Sequence, residues 1–261
     1  MERLSNKAND KIKAVVSVRE SAKVRRSDGV FFIEGARLCE DAALSNVKIV
    51  RAFFTEEAFT KYPDYAREIT SRCGECYTVT NEIAAKLSDT QNPQGIFCVC
   101  RGESKIASAD KIDRNGKYIL LERVQDPSNL GAIARTAEAL GIDGVIVSGG
   151  CDIYNPKALR ASMGSLFRIA VYSCPDCAAF LRSVSESGML TVYSTPDSSC
   201  AKINDVDFDK GIVCVVGNEG NGVSAETASA CNFGVTIPMR GRAESLNAST
   251  AAAILMWEMV K

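Results

Sequence analysis

The chain has 261 residues, with 31 Lys+Arg against 32 Asp+Glu and no histidine. That length suits one large domain or two ordinary ones, and the near-neutral balance excludes a generally basic, histone-like nucleic-acid binder while leaving room for a local basic patch. Without histidine there is no Ser-His-Asp triad, no Cys-His pair, no His-ligated zinc and no imidazole base, so any catalysis rests on carboxylates, Lys, Arg, Cys, amides or backbone.

In chain order, the pattern first predicts a basic helix over 6–26. Residues 1–37 hold nine Lys/Arg and five Asp/Glu, a local excess of +4 hidden by the total. Such a run reads either as a solvated helix face or as a contact for a polyanion. Strands follow at 30–33, 49–54, 77–80 and 96–100, alternating with helices at 35–44, 56–70 and 82–87. This is the signature of a small α/β unit. Residues 101–117 are polar and weakly patterned, which places a linker at 106–117 between domains at 1–105 and 118–261. The second half alternates again. Its strands are predicted at 118–121, 144–147, 168–171, 190–193, 212–216 and 234–237, and its helices at 129–140, 175–187, 225–229 and 246–260. Wholly apolar strands such as 212–216 fit a parallel sheet covered on both faces.

Eleven cysteines in a chain without an apolar leader point to reduced thiols and a cytoplasmic protein. The pairs Cys73/Cys76 and Cys174/Cys177 are about a hundred residues apart, and read as ordinary buried or surface thiols rather than a zinc site. No metal is expected. No apolar run approaches the ~20 residues of a membrane span, so no membrane partner is expected either.

Three loops follow apparent strands of the second half, where ligands of open α/β sheets sit. The first runs Leu121-Glu-Arg-Val-Gln-Asp-Pro-Ser-Asn129-Leu-Gly131 and reaches Arg135. The second, Gly217-Asn-Glu219-Gly220-Asn-Gly222, has three glycines in six residues. It is neither a P-loop, lacking Gly-Lys-Ser/Thr, nor the GxGxxG dinucleotide fingerprint. Both absences argue against a Rossmann-type dehydrogenase or a kinase. The third, Ile237-Pro-Met239, leads through Ser245-Leu246-Asn247 into a helix that starts with small residues from Ala248.

Together these loops resemble, in order and spacing, the three signature motifs of the SpoU (TrmH-type) RNA 2′-O-ribose methyltransferases. The resemblance extends to Arg160-Ala-Ser-Met-Gly-Ser165. In the first half, Lys23, Arg25-Arg26, Gly29 to Gly35 and Pro93-Gln94-Gly95 resemble landmarks of the substrate-binding domain often fused to that family. Nearly the whole chain is covered. The resemblance implies an α/β SPOUT domain with a parallel sheet and a deep trefoil knot, preceded by a small α/β RNA-binding domain. It also implies a homodimer whose active site lies near the subunit interface.

The cofactor so implied is S-adenosyl-L-methionine, at Gly217, Ile237, Met239, Leu246 and Ala248. Catalytic work falls on Arg135, with Asn129, Glu219, Ser245 and Asn247 around it. Arginine is a poor base because its pKa lies above ~12, so Arg135 reads as a clamp on the target phosphate that also stabilises a 2′-oxyanion. Glu219 would fix Arg135 or a loop amide, or simply hold the glycine turn. Ser245 and Asn247 would position the ribose, cap a helix, or do both. RNA contacts fall on Lys23, Arg25, Arg26, Arg37 and Arg160. Ribosomal RNA, of the large subunit, is favoured over tRNA. A tRNA 2′-O-methyltransferase and a non-catalytic RNA-binding assembly factor on the same fold are the alternatives.

Overall fold

The computed structural model describes residues 1–45, 47–102 and 106–261. It divides into two compact units, Met1–Lys105 with Asp152–Phe167, and Ile106–Cys151 with Arg168–Lys261.

The first unit is built on a five-stranded mixed sheet of β1 (Glu2–Leu4), β2 (Val30–Glu34), β3 (Ile49–Thr55), β4 (Cys73–Val79) and β5 (Ile96–Arg101), in the order β1-β4-β3-β5-β2. Its helices are α1 (Asp10–Glu20), α2 (Ala22–Asp28), α3 (Ala36–Leu44), α4 (Glu56–Lys61), α5 (Pro63–Ser71) and α6 (Asn81–Leu87). The helix expected over 6–26 is two helices. Ser21 is extended (φ −116°, ψ 113°) and its hydroxyl accepts the Val24 amide at 3.3 Å, capping the second. The helix expected over 56–70 also splits, because Pro63 has no N–H and pushes Tyr62 out of the helical region (φ −131°, ψ 54°). Ile12, Val15 and Val18 of α1 pack with Phe32, Phe53 and Phe97 of the sheet in one core.

Residues Asp152–Phe167, which sequence order places in the second half, belong to this first unit. The Tyr154 ring stacks on Phe31 with centroids 4.7 Å apart, and Phe167 also stacks on Phe31, at 5.9 Å. The Tyr154 hydroxyl donates to the Gly102 carbonyl. The segment carries the helix Pro156–Ser162.

The second unit is an eight-stranded sheet in which every ladder is parallel. Its strands are β6 (Ile106–Ser108), β7 (Lys117–Glu122), β8 (Gly144–Ser148), β9 (Val171–Ser173), β10 (Leu190–Ser194), β11 (Ala201–Lys202), β12 (Ile212–Val216) and β13 (Phe233–Thr236). They are ordered β11-β13-β10-β12-β7-β8-β9-β6. The helices are α7 (Pro127–Leu140), α8 (the Pro156–Ser162 helix of the first unit), α9 (Cys177–Glu186), α10 (Ala225–Ala230) and α11 (Ala248–Val260). Tyr118 and Leu120 of β7 face a core with Phe180, Leu181 and Val184 of α9. The alternate residues Ile119 and Leu121 are equally buried and face the opposite side, where α7 and α11 pack on each other.

The stretch 106–117 is not a linker. Ile106–Ser108 is the edge strand of the sheet, paired with β9, and Ala109 and Ile112 are buried in the core. A three-residue edge strand with one solvated face leaves little apolar signal. The strand expected at 168–171 lies at Val171–Ser173. Chain order reverses at the central β7–β12 pair, which places the loops after these strands at the sheet's switch point.

Candidate active site

The loop after β7 begins with Arg123, whose φ of +55° is left-handed. The chain then turns at Asp126, which caps α7 by accepting the Ser128 amide at 2.9 Å, and Pro127 occupies the first turn. This delivers Asn129 to the inner side of α7, only 6 % exposed. The loop after β12 closes on itself, with the Asn218 and Gly222 amides and carbonyls exchanging bonds of 3.0 and 2.9 Å. Gly217 has to be glycine, since a Cβ there would fall 2.1 Å from the Gly222 carbonyl carbon. The Asn218 side-chain oxygen accepts the Gly220 and Asn221 amides, and its Nδ2 donates to the Arg123 carbonyl at 2.9 Å.

These loops bring Glu219 to the start of α7. Its Oε1 accepts the Asp126 amide at 3.0 Å and Asn129 Nδ2 at 2.9 Å, and its Oε2 accepts the Gln125 amide at 3.0 Å. Partial burial works to raise its pKa. The bonds from Asn129 and the two amides outweigh it and hold the carboxyl below its ordinary range. Asn129 Oδ1 in turn accepts Asn247 Nδ2 at 3.1 Å. Asn247 is also the cap of α11, its Oδ1 accepting the Ser249 and Thr250 amides at 2.9 and 3.3 Å. One hydrogen-bonded chain, Glu219–Asn129–Asn247, therefore ties all three loops together. The donor and acceptor ends of Asn129 are set by a carboxylate on one side and an amide N–H on the other.

Sequence reasoning offered Glu219 either Arg135 or a loop amide, and the structure gives it loop amides. Both roles weighed for Asn247 are compatible with its position, since it caps α11 and still reaches Asn129. Ser245 and Leu246 are exposed. Arg135 does not join the network. It lies six residues beyond Asn129 on α7, about 9 Å along the axis and about a third of a turn round, is exposed, and makes no hydrogen bond or ion pair among the described residues.

Glu122 was not singled out in the sequence, yet it anchors the second loop. This buried carboxylate ends β7 and accepts the Ser224 amide (2.8 Å), the Ser224 hydroxyl (2.6 Å) and the Thr227 hydroxyl (2.7 Å). Burial favours its neutral form, but those three donors win and lower its pKa. A carboxylate closing an apolar strand was the available signal.

The expected cofactor positions lie at the same carboxyl edge. Gly217 is buried, and Ile237, Met239 and Ala248 are half-buried. Among the described residues, no backbone group from Ile237 to Leu246 bonds to another backbone group. Peptide groups beside the half-buried side chains of Ile237 and Met239 are what a nucleoside needs, with polar edges met by backbone and apolar faces met by side chains. These residues fit S-adenosylmethionine. Among the described residues no cluster of His, Cys, Asp or Glu has the make-up of a metal site.

The RNA-contact residues expected in the first unit divide. Lys23, Arg26 and Arg37 are exposed. Arg25 is a correction. Its side chain is 4 % exposed, its Nε meets Asp152 Oδ2 at 2.7 Å, and its Nη1 donates to the Val18 and Arg19 carbonyls at 2.8 Å. It holds the unit together and is not free to touch RNA. Arg160 is committed as well, to Asp89 at 2.7 Å and to buried Glu34 at 3.4 Å. It borders a cleft of about 620 Å³ with Gly35, Asn92 and Gln94. There the two sequence landmarks meet, as Gln94 Oε1 accepts the Ala36 amide at 2.8 Å and caps α3 where Gly35 has no side chain to do so.

Residues 116–257 match the SpoU rRNA Methylase family, and residues 9–98 match the MRM3-like substrate binding domain. The chain belongs to the SpoU rRNA methylase family. A SpoU relative from Bacillus subtilis (strain 168), the 23S rRNA (guanosine(2553)-2′-O)-methyltransferase RlmP, is 31% identical over 99% of both chains. An AdoMet-bound rRNA methyltransferase from Sinorhizobium meliloti superposes with a TM-score of 0.86 at 27% identity, covering 99% of this chain and 97% of that one. The SpoU methyltransferase AviRb from Streptomyces viridochromogenes, solved with AdoMet, gives 0.85 at 25% identity and 97% of each chain.

Proposed function

We propose that this SpoU chain transfers a methyl group from S-adenosylmethionine to a ribose 2′-hydroxyl of structured RNA, in the large-subunit ribosomal RNA. The observation that carries the reading is the Glu219–Asn129–Asn247 chain, which holds the three motif loops in one arrangement. The rRNA substrate is supported by the full-length likeness to RlmP.

The cofactor supplies an electrophilic sulfonium methyl. Gly217, Ile237, Met239, Leu246 and Ala248 would hold it. Asn129 and Asn247 orient the ribose, and Ser245, exposed beside them, offers a hydroxyl to the same sugar. Arg135 stays charged at any working pH, grips the target phosphate, and stabilises negative charge as it grows on the 2′-oxygen. The hydroxyl proton leaves to that phosphate or to water.

A homodimer is part of this reading, and it is supported by what a single chain leaves exposed. α11 is apolar on nearly every side, and Trp257 on it is 57 % exposed. α11 packs on α7, the helix that carries Arg135 away from its own chain's network. A second copy seated on these helices covers Trp257 and brings Arg135 to the partner's loops. The trefoil knot belongs to the same proposal, as does a cytoplasmic location; among the described residues no helix is long and apolar enough to cross a membrane. Lys23, Arg26 and Arg37 are the RNA contacts retained in the first unit.

Purified protein, labelled S-adenosylmethionine and protein-free rRNA test the reading. Label recovered in alkali-resistant dinucleotides supports it, because a 2′-O-methyl group removes the hydroxyl needed for alkaline cleavage. Label on a base, or none, overturns it.

A further inference from the structure

We infer that Arg123 is a second RNA-contacting guanidinium of the methyl-transfer site, binding a backbone phosphate of the substrate; the inference rests on the proposed function. Only two non-glycine residues among those described have positive φ, and Arg123 is one of them. An L side chain is disfavoured there, so its presence calls for a reason.

The backbone of Arg123 has structural work. Its amide donates to the Ser148 carbonyl at 2.9 Å, and its carbonyl accepts Asn218 Nδ2 at 2.9 Å, joining the first and second loops to the end of β8. Glycine would perform that work without strain. What arginine adds is a side chain, and that side chain is exposed, with no hydrogen bond or ion pair among the described residues. The adjacent carboxylate does not neutralise it by contact, since Glu122 spends its oxygens on Ser224 and Thr227. The stem runs past Gly149, and the backbone around it is fixed by a close approach to Gly150. A Cβ on Gly149 would lie 3.6 Å from Arg123 Cγ, and one on Gly150 would fall 2.2 Å from the Val124 carbonyl oxygen. This guanidinium is carried on a doubly anchored backbone three residues before the cap of α7, on the loop that leads to Asn129 and bonded through Asn218 to the loop that carries Glu219. Phosphate is the partner that such a rigidly based fork recognises.

The test compares wild type with Arg123→Gly, Arg123→Asn and Arg123→Lys. Gly and Asn both tolerate a left-handed backbone, so these variants remove charge without forcing a refold. Binding of an rRNA fragment carrying the methylated nucleotide is titrated from 50 to 200 mM salt, alongside thermal unfolding and S-adenosylmethionine binding. Arg123→Gly should unfold at the wild-type temperature or above and bind the cofactor equally well. Its RNA affinity should fall roughly fivefold to tenfold, with the log K against log[salt] slope shallower by about 0.7 to 1. Arg123→Asn should match it, and Arg123→Lys should keep the wild-type slope. Unchanged slopes and affinities for Gly and Asn, while wild type methylates the fragment normally, overturn the role of Arg123 alone. A wild type that neither binds nor methylates RNA overturns the proposed function and this inference with it.

Discussion

Asn129→Asp replaces one nitrogen by oxygen and sets a second carboxylate against Glu219. In the wild type, Asn129 Nδ2 donates to Glu219 Oε1 at 2.9 Å. At that separation two full charges repel by about 6 kcal/mol for an effective dielectric of 20. Glu219 keeps a solvent-exposed side, and screening by that water reduces the penalty to roughly 3 kcal/mol. A penalty of that size equals about two pH units of proton affinity. The folded variant should thus take up a shared proton at a pH well above that at which either carboxyl protonates in the unfolded chain. Above pH 7 the variant should be less stable than wild type by about 3 kcal/mol. As pH falls from 6.5 towards 4.5, the gap should close by about 1.4 kcal/mol per unit, because the folded state then binds more protons than the unfolded state. Urea unfolding at half-unit steps from pH 4.5 to 8 measures it, with Asn129→Ala as a control whose deficit should not vary with pH. A gap for Asn129→Asp that is equally pH-independent would refute the contact.

Arg135→Ala should fold and bind S-adenosylmethionine as wild type yet lose at least ~100-fold in methyl transfer, the scale of a removed oxyanion contact, as a filter-binding methylation assay would show. Arg25→Ala should lose about 3 to 5 kcal/mol in urea unfolding, because it strands Asp152 beside two carbonyls that lose their donor, whereas Arg26→Ala on the exposed side should change stability by under ~0.5 kcal/mol. Glu122→Gln should cost roughly 2 kcal/mol at neutral pH. Since the Glu122 pKa is depressed in the folded state, its contribution is complete above about pH 4.3 and lost as pH falls further, so the wild-type and Glu122→Gln unfolding midpoints should converge in acid.

The α/β alternation was legible because buried strands such as Ile212–Val216 are apolar throughout and helices such as α9 are amphipathic. The three site loops were legible for a related reason, as polar and glycine-rich runs directly after such strands have few structural uses. What escaped was long-range pairing. Nothing near Arg25 shows that it is buried, because its partner Asp152 is 127 positions away. The same distance hides the grouping of Asp152–Phe167 with the first unit, which depends on Tyr154 finding Phe31. Glu122 escaped because its partners, Ser224 and Thr227, lie about a hundred residues on. Strand β6 escaped because an edge strand of three residues is too short to show a period.

The central claim is tested most directly by mapping ribose methylation across rRNA and tRNA from cells with and without this protein. The account predicts that one 2′-O-methylated position in large-subunit rRNA disappears with the protein, and returns with wild type but not with Arg135→Ala. An unchanged rRNA map, or a lost methyl confined to tRNA, would contradict it.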